Sequence, residues 1–224
     1  QILNNCGLNM RMVSPKTDKQ KDTFIAYELG KHLLLHGSAG TGKTFISMYL
    51  SLQEVLDYRR QFRKVMLVRS VVPTREMGFL PGSEKQKIAI YEQPYISIVN
   101  DLYGRGDAYE ILRKKEFLEF KSTSYVRGMT YDNCVVIVDE CQNLNFHELD
   151  SIITRMGENS KIIFCGDFSQ TDFKTNEKLG LLSFMEILKH LKEFAFVEFG
   201  VEDIVRSGIV KDYIIQKQKH FNVA

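Results

Sequence analysis

Hydrophobic and polar positions along the chain follow two alternating patterns. Short runs rich in Val, Leu, Ile and Phe recur between longer segments with helical spacing. Runs that are apolar at every position are typical of strands covered on both faces, as in a parallel sheet. The predicted strands are His32–His36, Lys64–Arg69, Glu116–Phe120, Cys134–Val138, Lys161–Cys165 and Ala195–Phe199. We therefore predict an α/β fold with a mostly parallel sheet and helices on both faces.

Three helices can be predicted with some detail. The helix after the first strand carries apolar residues three and four positions apart, namely Phe45, Met48, Tyr49, Leu52, Val55 and Leu56. A second helix is expected to begin at Asn145, a favoured N-cap residue with Glu148 three positions later. A third is expected from about Ser207 to His220.

Two stretches interrupt this alternation. Residues 70–94 contain three of the four prolines, which indicates a long connection with a helix around Glu84–Ile90. Residues 121–133 form the second stretch, which is polar and ends just before a predicted buried strand. Loops on a rigid sheet often carry function, so both are candidate functional loops. We predict an N-terminal arm over residues 1–13, with poor order, and a single domain over 14–224 with an insertion at about 70–95.

Composition narrows the possible partners. The 224 residues include 30 basic and 28 acidic side chains, for a net charge of +2. This balance excludes a large uniform basic surface but allows a local basic stripe for nucleic acid. Four cysteines without a Cys-x-x-Cys pair argue against a structural zinc site. No apolar stretch approaches the roughly 20 residues of a membrane span and no signal peptide is evident, so we expect no membrane partner and a cytoplasmic location.

A phosphate-binding motif follows the first predicted strand. The segment Gly37-Ser38-Ala39-Gly40-Thr41-Gly42-Lys43-Thr44 matches the pattern G-x-x-x-x-G-K-[ST] between a strand and an amphipathic helix. Glycines let successive backbone N–H groups point at phosphate oxygens, and the helix N-terminus adds a positive dipole. Lys43 is expected to reach the β- and γ-phosphates and the Thr44 hydroxyl to bind Mg²⁺.

Acidic and amide side chains follow two later strands. Asp139 and Glu140 come directly after Cys134–Val138, at the carboxyl edge where ligands bind in open α/β sheets. Asp139 is predicted to hold Mg²⁺ through its water shell and Glu140 to orient and deprotonate an attacking water. Without the phosphate loop, the pair could equally be a strand-end turn. Gln170, after the strand Lys161–Cys165, is a candidate contact to the γ-phosphate or the water; the alternative is a plain polar loop.

The acidic pair also bears on the reaction. Its second carboxylate favours hydrolysis over transfer to a small acceptor. The residues after Asp139 do not complete the pattern Asp-x-x-Gly, and no Asn-Lys-x-Asp occurs in the sequence. A guanine-specific switch is therefore disfavoured.

Eight motifs between about Ser14 and Phe221 form a recognisable set. They are Pro15-Lys16 with Gln20, Gly37–Thr44, Met77–Gly82, Arg127–Thr130, Asp139–Asn143, Thr154–Gly157, Gly166–Asp167 with Gln170, and Asp203–Arg206. As a set they resemble the PhoH family of P-loop ATPases, which are related to superfamily 1 helicases. The resemblance implies a RecA-like P-loop NTPase fold, with ATP as the nucleotide and Mg²⁺-dependent hydrolysis. The chain looks like the compact form carried by phages, which would place it in the host cytoplasm.

The resemblance also implies roles for individual residues. Gln20 looks like the glutamine that reads adenine, since an amide can both donate to and accept from the base. Arg206 resembles the arginine that neutralises charge on the transferring phosphoryl group, and Arg155 is a second candidate for that role. Whether either acts in its own subunit or across an interface is left open. Met129 stands where the family usually has Arg, which removes one cation from that loop.

Nucleic acid is the partner that the resemblance implies, either RNA or single-stranded DNA. The candidate contacts are Arg75, Phe79, Lys85, Arg127 and Thr130. Basic groups with interleaved aromatics, here including Tyr91 and Tyr95, suit single strands, because phosphates need cations and bases stack on rings. The equal alternative is that these aromatics belong to the core.

The length allows one RecA-like core, whereas related helicases bind ATP between two. We therefore expect a homo-oligomer, with a ring and in particular a hexamer favoured. Two functions stay open: an ATP-driven helicase or translocase, and a nucleotide-dependent binding or switch protein that hydrolyses ATP without unwinding. A phosphotransferase acting on a small acceptor is a third possibility.

Overall fold

One parallel sheet organises the protein in the computed structural model, which describes residues 6–71, 84–168 and 175–222. The strands are β1 His32–Gly37, β2 Lys64–Arg69, β3 Leu118–Ser122, β4 Cys134–Val138, β5 Lys161–Gly166 and β6 Phe194–Phe199. Their order is β3-β2-β4-β5-β1-β6, and every pairing between neighbours is parallel. The predicted α/β fold with a parallel sheet is confirmed.

Helices cover both faces of this sheet. They are α1 Asp18–Glu28, α2 Lys43–Leu56, α3 Glu84–Tyr103, α4 Ala108–Lys114, α5 Phe146–Ile153, α6 Thr175–Lys189 and α7 Ile209–Asn222. Successive strand residues point to opposite faces, so Leu33 and Leu35 join the core under α2 to α4, whereas Leu34 joins the core under α5 and α6. Both faces are buried, which explains why the strands are apolar at every position.

The predicted boundaries agree closely at most strands. β3 is the exception, because it begins at Leu118 and not at Glu116. Glu116 has a φ of 61°, and Phe117 N–H donates to Leu112 O at 2.9 Å, so both residues belong to the turn after α4. At α5, the Asn145 side chain accepts a hydrogen bond from Glu148 N–H at 2.9 Å, which confirms the predicted cap.

The region around the predicted insertion differs from expectation. The helix expected around Glu84–Ile90 is present, but α3 continues to Tyr103 and contains Pro94. Tyr95, Val99 and Leu102 are fully buried on this helix. Their packing against the sheet offsets the backbone hydrogen bond that proline cannot make.

The N-terminal segment packs against α3 from residue 6 onward. Cys6 and Leu8 are buried in the core, and Arg11 N–H donates to Leu102 O at 2.9 Å. Arg11 also pairs with Asp101. Within the described part of the predicted arm, these residues are therefore held on the domain.

Among the described helices, none is long and apolar enough to cross a bilayer.

Candidate active site

The loop between β1 and α2 turns sharply at three glycines. Gly37, Gly40 and Gly42 have φ values of 133°, 75° and 85°. A Cβ at Gly37 would lie 2.0 Å from Phe199 O, a main-chain atom of β6, and a Cβ at Gly40 would lie 2.9 Å from Arg206 Cγ. Glycine is therefore required here by neighbouring structure as well as by the curvature of the loop.

Lys43 begins α2 and lies back over the loop. Its Nζ donates to Gly37 O at 2.8 Å and to Ser38 O at 2.7 Å, and it lies 3.3 Å from Thr41 Oγ1. Burial lowers the pKa of Lys43, and nearby acidic groups including Asp167 oppose that shift. The ammonium group is thus held inside the curve where phosphate oxygens are expected.

Asp139 connects the loop to the end of β4. Its Oδ1 accepts a hydrogen bond from Thr44 Oγ1 at 2.9 Å, and its Oδ2 accepts one from the Tyr95 hydroxyl at 2.8 Å. The side chain is buried, and burial together with the neighbouring Glu140 raises the pKa of Asp139. The sequence thus predicts Asp139 and Thr44 as partners, and the structure places them in contact.

The oxygen atoms at this point fit a magnesium ion. The described residues contain no group of three or more His, Cys, Asp or Glu side chains that would hold a metal by itself. Mg²⁺ commonly binds through one or two protein oxygens, with substrate phosphates and water completing its shell. The Thr44 hydroxyl and the Asp139 carboxylate form such a sparse donor set.

Gln142 links the ends of β4 and β5. Its Nε2 donates to Glu140 Oε2, and its Oε1 accepts a hydrogen bond from Asp167 N–H at 3.2 Å. A Cβ at Gly166 would lie 2.6 Å from Gln142 Oε1, so the absence of a side chain there leaves room for the amide. The backbone of Glu140 itself is in the left-handed region, with a φ of 50°. Sequence reasoning assigned no role to Gln142, although its position two residues after the acidic pair was a usable signal.

Gln20 joins α1 to the phosphate loop. Its Nε2 donates to Thr41 O at 2.9 Å, and its Oε1 accepts from Lys16 N–H at 2.8 Å. The residue is 4% exposed. Each end of the amide retains one further hydrogen-bonding site. The predicted role in reading adenine uses those remaining sites.

One cleft of about 560 Å³ gathers these groups. Its lining includes Gln20, the loop from Ala39 to Thr44, Asp139, Glu140, Gln142, Asp167 and Arg206. Val205 N–H donates to Gly40 O at 2.9 Å, which holds the exposed Arg206 beside the phosphate loop of its own chain.

A family model described as PhoH-like protein matches residues 12–217. This chain belongs to the PhoH family. The PhoH-like protein of Bacillus subtilis (strain 168) is 32% identical over 205 residues, covering 91% of this chain and 63% of that protein. Protein PhoH of Escherichia coli (strain K12) is 32% identical over 196 residues, covering 87% of this chain and 55% of that protein. The chain therefore spans less than two thirds of the length of these PhoH relatives.

Solved structures establish the fold of this PhoH-family chain. The large terminase of a thermophilic bacteriophage matches with a TM-score of 0.56 at 10% identity, over 91% of this chain and 50% of the terminase. The same terminase in complex with ADP gives a TM-score of 0.51 at 10% identity, over 90% of this chain and 49% of that one. The predicted RecA-like P-loop NTPase fold is confirmed.

Arg155 lies away from the phosphate loop in this PhoH-family chain. It lines a second cleft of about 720 Å³ together with Arg127, Ser70, Thr123 and Ser124, at the carboxyl ends of β2 and β3. Arg155 Nε is 3.4 Å from Ser151 Oγ. The structure thus brings Arg206, but not Arg155, to the nucleotide cleft of the same chain.

Other predicted contacts have mixed outcomes. Thr130 is exposed on the loop that carries Arg127. Tyr95 is fully buried, so the expectation that it stacks on nucleic acid is wrong and the core alternative holds. Tyr91 is half-buried with the Arg69 guanidinium 5.3 Å from its ring centre. Arg75, Phe79 and Gln170 lie outside the described residues, and Lys85 lies in the first turn of α3 with its side chain outside the description.

Proposed function

We propose that this chain is a Mg²⁺-dependent ATPase. The contact between Thr44 Oγ1 and Asp139 Oδ1 at 2.9 Å carries the proposal, because it joins the two predicted magnesium-binding groups beside the phosphate loop. Glu140 follows directly and lines the same cleft. This combination of a phosphate cradle, a metal-binding oxygen pair and a second carboxylate suits phosphoryl transfer to water.

Each group has a defined task in this reaction. The loop N–H groups and Lys43 hold the β- and γ-phosphates, for which Lys43 exchanges its contacts with Gly37 O and Ser38 O. Mg²⁺, when bound, neutralises charge on those phosphates. Glu140 orients water and accepts its proton as the new P–O bond forms and the bond between the γ-phosphorus and the bridging oxygen breaks, releasing ADP.

Three further residues complete the proposed site. Gln20 donates to and accepts from the adenine edge with the hydrogen-bonding sites left by Thr41 and Lys16. Arg206 neutralises charge on the transferring phosphoryl group from within the same chain, as its place over Gly40 supports. Gln170 contacts the γ-phosphate or the water.

The test of the ATPase is a Lys43→Ala variant assayed for phosphate release and for binding of a fluorescent ATP analogue. Removing a donor to the transferring phosphates is expected to lower turnover about 100-fold or more. Lys192→Ala is the matched control. Lys192 is exposed just before β6, so it lies at the amino ends of the strands, whereas the phosphate loop lies at their carboxyl ends. Retained turnover in Lys43→Ala would refute the assignment of the phosphate loop.

We further propose that ATP hydrolysis is coupled to single-stranded RNA or DNA. The second cleft supports this, because Arg127 lines it together with the hydroxyl-bearing residues Ser70, Thr123 and Ser124. Arginines and hydroxyls are the usual partners of the phosphate backbone, which gives affinity that depends on salt and little on sequence.

The coupling is tested by measuring ATPase rate and binding with and without single-stranded RNA and DNA. The Arg127→Ala variant is expected to lose most of the stimulation and keep basal turnover. Lys192→Ala, which removes an exposed basic side chain before β6, is again the control. If the wild-type protein shows neither binding nor stimulation, the second function, an ATP-hydrolysing switch protein, replaces the motor.

We also propose a ring-shaped homo-oligomer in which Arg155 serves a neighbouring subunit. The placement of Arg155 outside its own nucleotide cleft supports this. Mixing Arg155→Ala subunits with Lys43→Ala subunits is expected to restore turnover, because some interfaces then pair an intact Lys43 with an intact Arg155. Light scattering gives the mass, and a monomeric active enzyme would contradict the proposal.

A further inference from the structure

The hydroxyl of Tyr95 lies in direct contact with the proposed magnesium-binding carboxylate. Tyr95 is on α3, has no exposed surface, and donates to Asp139 Oδ2 at 2.8 Å. Its ring centre lies 5.8 Å from that of Phe120 on β3, so the side chain is packed from the neighbouring strand. A hydroxyl held this way has little freedom to leave the carboxylate.

Two hydroxyls from two helices therefore fix the orientation of one carboxylate. Thr44 at the start of α2 takes Oδ1, and Tyr95 in α3 takes Oδ2. Without the second donor, the carboxylate could turn about its terminal torsion, which is soft in Asp. Groups that orient a metal-binding side chain in this way commonly change metal affinity when they are removed.

Two other buried tyrosines show that burial alone does not require such a contact. Among the described residues, the hydroxyls of Tyr103 and Tyr131 are buried without a hydrogen-bond partner. Tyr103 lies on the same helix as Tyr95 and in the same hydrophobic core. Of these two tyrosines on α3, Tyr95 is the one whose hydroxyl donates to Asp139.

We propose that Tyr95 is a positioning residue for the ATPase reaction, and that its hydroxyl holds Asp139 in the orientation that binds Mg²⁺ together with ATP. This inference rests on the proposed ATPase function. It assigns a role in nucleotide chemistry to α3, a helix outside the phosphate loop and the acidic strand end.

The experiment compares Tyr95→Phe with Tyr103→Phe, since each removes one buried hydroxyl from the same helix. Calorimetry measures the affinity for a non-hydrolysable ATP analogue, once with Mg²⁺ and once with a chelator. Tyr95→Phe is expected to lose about 10-fold in affinity with Mg²⁺ and none with the chelator. The Mg²⁺ concentration for half-maximal ATPase rate should rise about 10-fold, whereas Tyr103→Phe should match the wild type in all three measurements.

Two results would overturn the inference. One is Tyr95→Phe behaving like Tyr103→Phe, and the other is an equal loss of affinity with and without Mg²⁺, which would mark a purely structural role. Failure of the ATPase proposal has a different signature, because the wild-type protein itself would then show no Mg²⁺-dependent binding or turnover.

Discussion

Replacing Gly37 with alanine tests whether the first glycine of the phosphate loop is required by the sheet. A Cβ there would lie 2.0 Å from Phe199 O, 2.8 Å from Phe199 C and 2.9 Å from Phe199 N. All three are main-chain atoms of β6, which pairs with β1 at this position. A main chain held in a parallel ladder cannot move aside as a flexible side chain would.

Two costs add for Gly37→Ala. The backbone φ of 133° is outside the range that alanine favours, which costs about 1–3 kcal/mol. Forcing a methyl group into a filled space costs about 1–3 kcal/mol more. The sum of about 2–6 kcal/mol is a large part of the roughly 5–15 kcal/mol that stabilises a typical domain.

Urea denaturation followed by circular dichroism measures the loss, with Gly128→Ala as the control. Gly128 also has a positive φ, 85°, but among the described residues no heavy atom lies within 4 Å of its added Cβ. The control therefore contains the backbone strain of about 1–2 kcal/mol without the collision. Equal losses for the two variants would show that the approach of β6 does not exclude a side chain at Gly37.

Three other variants test the site and its surroundings. Glu140→Gln should bind ATP but slow its hydrolysis about 100-fold or more, and unchanged phosphate release would assign the proton to another group. Arg206→Ala should slow hydrolysis about 10³-fold at unchanged analogue affinity, and mixing with Lys43→Ala subunits should restore nothing if Arg206 acts in its own chain. The Arg59 side chain lowers the pKa of Asp57 from 3.8 to about 2. The pair therefore stabilises the fold fully above pH 3.8, and this stabilisation is lost as the pH falls through about 2. Arg59→Gln should therefore lower the free energy of unfolding at neutral pH, with a difference that shrinks towards pH 2; a difference independent of pH would contradict this.

The sheet was predictable because each strand is buried on both faces and its sequence shows it. Cys134–Val138 and Lys64–Arg69 are apolar through their centres, and both strands have the predicted bounds. The start of β3 was misplaced because the left-handed turn at Glu116 has no glycine to mark it. The full length of α3 could not be predicted, because a proline such as Pro94 is unfavourable inside a helix. Only its tertiary burial shows that the helix continues.

The site was predictable where one short segment contains the chemistry. Lys43, Thr44 and Asp139 follow from local motifs, and the structure brings them together. Tyr95 has no such signal, because its bond to Asp139 joins residues 44 positions apart on different elements. Arg155 has a motif, but no local pattern shows that α5 directs it towards a second cleft.

The pairing of β6 with β1 has a consequence for synthesis, because it joins the phosphate loop to a strand made much later. β6 pairs with β1 along its whole length, Val205 N–H binds Gly40 O, and Gln218 donates to the Ser38 hydroxyl. A nascent chain that has emerged from the ribosome only as far as α6 contains the complete phosphate-loop sequence but none of the later residues that make these three contacts. Because these contacts come from residues about 150 or more positions after the loop, we expect the nascent chain to complete its nucleotide site only when the segment beyond α6 has left the ribosome and folded onto β1.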